Sequence, residues 1–241
     1  GADAVVTVSR DMAQTVSSYG VTPEKIHTIY NGIDKQLFAR GSKAIAREHL
    51  HIHAHDKLLL WVGRMVPVKG LDNLLKAVRF LSDEKLGVTV ALVGSGPLEQ
   101  SLRQEAEALK ISAKIRFEGD ASHADLPDWY RAADATVLPS LSEGIPNVLL
   151  ESISCGTSFV ASRVGGIPEI ATEPIDRLVP AGNPQALARA ICDSLDRNRS
   201  SDHQRQFEPT AWSVSAERLA ELFQSAIDRK KNNLSTVSYA S

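Results

Sequence analysis

Near-unbroken apolar runs at Leu58–Val62 (LLLWV) and Val88–Val93 (VTVALV) constrain the fold more than any other feature. Strands with one wet face alternate polar and apolar residues; runs without that alternation must be covered on both faces, as in a parallel sheet between helices. Further strand-like runs lie at Ile26–Tyr30, Lys114–Glu118, Ala135–Leu138, Ser158–Ala161 and Arg177–Val179. Helical patterns separate them at Gly70–Leu81, Pro97–Leu109, Asp125–Ala133, Pro146–Cys155, Pro168–Ala171 and Pro184–Leu195. This alternation predicts an α/β chain with a doubly wound parallel sheet. In such sheets ligands bind beyond the carboxyl ends of the strands, so the loops after the strands are where chemistry is sought. Ser213–Lys231 reads as a last helix, so residues 1–230 are expected to form one domain and the polar stretch 231–241 a tail.

Twenty-seven Lys and Arg against 29 Asp and Glu leave a formal net charge of −2, which offers no bulk attraction for nucleic acid or an anionic membrane. An anionic ligand would have to be held locally. Cys155 and Cys192 are the only cysteines, with neither disulfide-framework nor zinc-ligand spacing, which fits a reducing, cytoplasmic setting. The longest apolar runs are about a third of a membrane span. The opening GADAVVTVSRDMAQ passes from a β-like run straight into a helix, like the middle of a protein, so a partner domain is expected upstream.

Four loops carry candidate chemistry. In WVGRMVPVKG, Gly63, Arg64, Lys69 and Gly70 fall between a strand end and a helix start. A forked guanidinium and an ammonium can clamp a diphosphate there, or they are two solvated cations. In VGSGPLEQ the third glycine of a dinucleotide fingerprint is missing, which argues against an oxidoreductase and for a structural turn. In SEGIPNVLLESISCG, Pro146 suits a first helical turn, leaving the amides of Asn147, Val148 and Leu149 unpaired at its positive end. Glu143 and Glu151 flank that turn, eight positions apart. Eight helical residues rise about 12 Å, against roughly 5 to 9.5 Å between paired glycosidase carboxylates. The two are therefore either opposite ends of one elongated ligand site, Glu151 accepting from vicinal hydroxyls, or a first-turn charge and a surface charge. The alternating His49, His51, His53 and His55 would share a face on a strand and could ligate a metal; the end of a short helix and a turn is the competing reading, and no metal is expected.

Taken together, ADAVVTVS, IYNGID, VGRMVPVKG, LVGSGPL, IRFEGD, the DLPDWYRAADATVLPSLSEGIPNVLLESISCG segment, VGGIPEI and LVPAGNPQALARAI resemble, in order, the landmarks of the retaining GT-B glycosyltransferases of glycosyltransferase family four. The resemblance covers nearly the whole chain and implies the carboxy-terminal, Rossmann-like donor-binding half of that fold. It implies a nucleoside diphosphate sugar as donor substrate, with no cofactor and no metal. Arg64 and Lys69 match the positions that neutralise the diphosphate, and Glu143 the glutamate near the transferred sugar. Gly144, Ile145, Asn147, Val148 and Leu149 match the turn and helix start whose amides hold sugar hydroxyls and phosphate, while Gly63, read from its own loop, lets the backbone come close to the diphosphate. Glu151 matches the ribose-binding glutamate, and Arg116 lies where main-chain atoms hold the base. The implied partners are the protein's own amino-terminal domain and an acceptor glycan or lipid-linked acceptor, but no nucleic acid; a peripheral membrane location would come through that other domain. Gly165, Gly166 and Glu169 match signature positions that a tight turn and helix capping explain. The stretch ATEPIDRLVP lacks the family's usual glycines, and no function is assigned to it. A non-catalytic nucleotide-sugar-binding module, or an epimerase or hydrolase of the same architecture, are the alternatives.

Overall fold

A computed structural model describes residues 2–83, 87–196 and 204–237, with side chains as far as residue 229. Its centre is a six-stranded, all-parallel sheet built from β3 (Lys57–Val62), β4 (Val88–Val93), β5 (Ile115–Gly119), β6 (Ala135–Leu138), β7 (Phe159–Ser162) and β8 (Arg177–Val179). The unbroken apolar runs occupy the interior: Leu59, Leu60 and Trp61 of β3 and Val90, Ala91 and Leu92 of β4 are all fully buried. Helices α3 (Leu71–Asp83), α4 (Glu99–Ala108) and α8 (Pro184–Leu195) pack together. A second group consists of α2 (Lys43–His49), α5 (Leu126–Ala132) and α6 (Asn147–Cys155). Each group covers part of the sheet, as the strand composition requires.

The strand order is β5-β4-β3-β6-β7-β8. The chain builds outward in one direction from β3, then returns and builds outward in the other from β6. The order therefore reverses between β3 and β6, the switch point at whose carboxyl ends such sheets generally offer a ligand crevice. The loops after these two strands contain Gly63–Lys69 and Ser140–Glu143.

Three elements differ from the sequence expectation. The run at Ile26–Tyr30 forms β2 (Ile26–Thr28), which pairs in parallel with β1 (Val5–Thr7) in a separate two-stranded sheet rather than joining the main one. Helix α1 (Arg10–Ser18) links the pair, and the side chain of Ser9 caps it by accepting from the Met12 amide at 3.0 Å. Pro146 lies at the N-cap of α6 and not inside its first turn, so the helix begins at Asn147. The last helix, α9 (Trp212–Val237), extends past residue 231, since the Asn, Ser and Thr residues there are weak helix formers but not breakers. No helix among the described residues is long and apolar enough to cross a membrane.

Candidate functional site

The loop after β3 is fixed by the loop after β4. The Met65 amide donates to the Ser95 carbonyl (2.8 Å), the Leu98 amide to the Met65 carbonyl (3.1 Å), and the Gly63 amide to the Val93 carbonyl (3.0 Å). A Cβ on Gly94 would lie 1.9 Å from the Gly63 oxygen, so this close approach requires glycine. The VGSGP turn thus supports the Arg64 loop. Arg64 itself is exposed and has no hydrogen-bond or ion-pair partner among the described residues, which leaves its charge available to a ligand.

Further along, Pro67–Lys69 forms a short 3-10 turn closed by Gly70 in the left-handed region (φ 62°). A Cβ there would meet the Pro139 oxygen at 2.2 Å. This contact, and the Leu141 amide donating to the Val68 carbonyl at 2.8 Å, bring the loops after β3 and β6 together. Lys69 Nζ consequently reaches Glu143 Oε1 at 2.6 Å, and Ser140 Oγ donates to the same oxygen at 2.7 Å. Lys69 and Glu143 are 74 positions apart in the chain, yet both are largely shielded from water, with side-chain exposures of 24% and 10%. Arg64, Lys69 and Glu143 together carry one net positive charge, suited to an anion with a sugar or similar polar group beside it.

Glu143 is held from behind by the turn after β7. Gly165 has φ 53°, and a Cβ on it would lie 1.8 Å from the Glu143 carbonyl oxygen. The Gly166 amide donates to the Gly144 carbonyl at 2.8 Å. The next residues form the short helix α7 (Ile167–Ile170), whose Glu169 accepts from the amides of Arg10 (3.1 Å) and Asp11 (3.0 Å) and from the Tyr30 hydroxyl (2.6 Å). Burial alone would raise the Glu169 pKa, but these bonds together outweigh it and hold it below the usual carboxylate value. Glu169 thus fastens the start of α1 beside the turn that backs Glu143. Capping and a tight turn do explain these residues, as the sequence suggested, and the element they brace is the glutamate loop.

At the start of α6 the expected set of free amides is one smaller. Leu149 donates to the Pro146 carbonyl at 3.1 Å because the first turn tightens to an i→i−3 bond, so Asn147 and Val148 supply the open donors. Asn147 is exposed, and its side-chain oxygen accepts from Asn31 Nδ2 at 3.1 Å. Ile145 is buried against Gly166.

Glu151, the fifth residue of α6, is 8% exposed. Its Oε2 accepts from the Tyr130 hydroxyl at 2.7 Å, and Oε1 has no partner among the described residues. Glu143 and Glu151 share no partner among the described residues. Nothing in the sequence spacing signalled Tyr130: it comes from α5, 21 positions earlier, and only the packing of α5 on α6 makes the contact. Burial raises the Glu151 pKa, and the Tyr130 bond only partly offsets it. The folded chain therefore holds this proton more tightly than the unfolded chain. The resulting stability is fully present below the ordinary carboxylate pKa and is lost as pH rises through the raised value. Glu151→Gln is accordingly expected to flatten that part of the pH dependence and to leave neutral-pH stability at or above wild type, as urea denaturation at a series of pH values will check.

Arg116 is not brought into this group. It lies mid-strand on the edge strand β5, opposite Ala91, and its Nε pairs with Glu118 Oε1 at 2.5 Å. The histidines form no strand face either. His49 ends α2 with Nδ1 3.0 Å from Asp128 Oδ2, His51 adopts φ 53°, and the His53 carbonyl accepts from Arg47. Among the described residues no three His, Cys, Asp or Glu side chains converge as a metal site.

Comparison with known proteins places the chain in a family. The family model described as glycosyl transferases group 1 matches residues 42–213, and that of glycosyltransferase family 4 matches residues 1–37. A D-inositol 3-phosphate glycosyltransferase of Thermobispora bispora is 32% identical over 239 residues, covering 93% of this chain and 55% of its own length. One from Streptosporangium roseum is 33% identical over 239 residues, covering 92% of this chain and 55% of its own. The chain thus spans about half the length of the curated relatives it matches. Among solved structures, Anabaena Alr3699/HepE in complex with UDP superposes with a TM-score of 0.81 at 23% identity, over 93% of this chain and 64% of that one. Sucrose-phosphate synthase from Thermosynechococcus elongatus gives 0.79 at 25% identity, over 95% and 59%.

Proposed function

We infer the function of this chain from its family: it belongs to the group 1 glycosyl transferases. In this reading the intact protein moves a sugar from a nucleoside diphosphate sugar to an acceptor hydroxyl with retention of anomeric configuration, and the present chain binds the donor. The observation that carries the reading is the Lys69–Glu143 pair at the point where the strand order reverses, with Arg64 on the same loop as Lys69 and unpaired among the described residues.

Arg64 and Lys69 take the oxygens of the diphosphate. As the bond from the anomeric carbon to the leaving phosphate oxygen lengthens, negative charge grows on that phosphate, and the two cations offset it without a metal. Glu143 sits beside the carbon on which positive charge develops. The acceptor hydroxyl attacks from the face the phosphate leaves; its oxygen bonds to the anomeric carbon and its proton passes to the departing phosphate. Gly63, Gly144, Ile145 and the open amides of Asn147 and Val148 line the phosphate and sugar hydroxyls. Glu151 Oε1 accepts from the ribose, with Oε2 held by Tyr130. The acceptor side comes from the rest of the protein, and the relatives' name puts a phosphorylated polyol beside glycans and lipid-linked acceptors among the compounds to try. UDP is one nucleotide to include, since it is present in a structure of the same fold.

The full-length protein, incubated with a donor and a panel of acceptors, is expected to form a product whose anomeric configuration, read by NMR, is that of the donor. An inverted product would overturn the mechanism, and sugar release that ignores acceptor would point to hydrolysis.

A further inference from the structure

A second cavity, about 470 Å³, lies at the opposite pole of the sheet from Glu143. It is bounded by the residues that enter β6, β7 and β8, by the segment that leads into α2, and by the end of α8. Four cationic side chains line it, Arg40, Lys43, Arg131 and Arg177, against two carboxylates, Asp134 and Asp193. Two of the cations are already engaged. Lys43 Nζ donates to Asp134 Oδ1 (2.6 Å) and the Ala133 carbonyl (3.0 Å), and Arg131 donates to Asp128 and to the Ala39 and Leu37 carbonyls. Asp134 is also taken up by the Leu58 amide and by buried Arg47. Arg40 and Arg177, by contrast, have no hydrogen-bond or ion-pair partner among the described residues, and Arg177 is half-buried. The buried hydroxyl of Ser194 on the same wall has no partner among the described residues either.

We propose that this cavity is a binding site for a small phosphorylated ligand, with Arg40 and Arg177 taking the phosphate and Ser194 donating to it. Unpaired guanidiniums facing a shared hollow are the donors that a phosphate dianion matches by charge and by fork geometry. A buried hydroxyl left unsatisfied is costly, and a ligand oxygen would supply the missing partner. Cys155 on the same wall adds no opposing charge, since burial pushes its thiol up to about 12. The volume exceeds the roughly 300 Å³ at which small-molecule pockets begin, room for a sugar or polyol phosphate and more than inorganic phosphate fills. The site shares no residue with the Arg64–Glu143 cluster, so it does not rest on the donor-site reading.

The test uses the whole 241-residue chain. Arg64→Gln and Lys69→Gln are introduced together, so that the switch-point crevice no longer attracts anions. Inorganic phosphate and glucose 6-phosphate are then titrated separately at millimolar concentration and followed by amide NMR. The expected result is saturable shifts at Gly156–Ser158 and Arg177, tighter for the sugar phosphate. Adding Arg40→Gln and Arg177→Gln should weaken them about tenfold or more, the loss expected for charge-assisted hydrogen bonds. Absence of shifts at these amides, or an equal response to chloride at matched ionic strength, would overturn the proposal. So would unchanged affinity in a folded Arg40→Gln/Arg177→Gln chain. If that chain does not fold, the shift map of the Arg64→Gln/Lys69→Gln chain decides alone.

Discussion

Lys69→Ala in the full-length protein is expected to lower kcat for sugar transfer by roughly 10²–10³, the loss seen when one donor that stabilises developing negative charge is removed. The expectation follows from two properties of the pair. Lys69 is three-quarters shielded from water, so its charge acts on the diphosphate through a medium of low effective dielectric. It also holds Glu143 at 2.6 Å, leaving that carboxylate, among the described residues, with only the Ser140 bond once the amine is gone. The alanine variant therefore loses charge on the leaving group and orientation next to the anomeric carbon. Arg64→Ala should cost less, since an exposed guanidinium is partly screened, and its effect should shrink with added salt. Steady-state kinetics with a saturating donor check both; equal effects from the two variants would contradict the assigned difference.

Asp176→Ala is expected to destabilise the fold by about 3–5 kcal/mol, the usual cost of stripping one partner from a buried ion pair. Asp176 is fully buried and accepts four hydrogen bonds, from the amides of Phe159 (3.1 Å) and Thr172 (2.9 Å) and from both terminal nitrogens of Arg205. Removing it leaves Arg205, itself 8% exposed, as an uncompensated charge with two orphaned amides beside it. A loss of that size is a large part of a typical folding free energy of about 5–15 kcal/mol. The Asp176→Asn/Arg205→Met double variant should lose less than the sum of its single variants, because no lone charge remains. Urea denaturation of the four chains measures this. Asp176 lies in ATEPIDRLVP, where the family's glycines are missing; here its buried carboxylate holds Arg205, and the Gln206 amide is also bonded to Thr172 Oγ1 at 3.1 Å.

The parts of the fold written in local pattern were legible. Unbroken apolar strands and amphipathic helices gave the parallel sheet and its coverings, since burial on both faces leaves a direct mark on composition. The placement of Lys69 and Glu143 in one crevice followed once the loops after strands were singled out, because a parallel sheet puts all such loops on one edge. What escaped were contacts set by packing between distant segments. Val5–Thr7 and Ile26–Thr28 look like any other apolar run, and only three-dimensional pairing separates them from the main sheet. Tyr130 meets Glu151 across two helices, and Gly165 backs Glu143 from another strand, at spacings that carry no periodic signal. The Leu149 amide was lost to the site because one turn tightened, a difference below what a proline's position can specify.

The most direct measurement is thermal unfolding of the 241-residue chain in the presence of UDP-, GDP- and ADP-sugars, with wild type and Arg64→Ala/Lys69→Ala side by side. A ligand at a hundred times its Kd adds about 2.7 kcal/mol to folding stability, and for a chain of this length each kcal/mol raises Tm by roughly 2–4 °C. The account predicts that at least one nucleotide sugar raises the wild-type Tm by several degrees and that the double variant loses most of that rise. No response to any of them at millimolar concentration, or an equal response in the variant, would contradict a donor site built on Arg64 and Lys69.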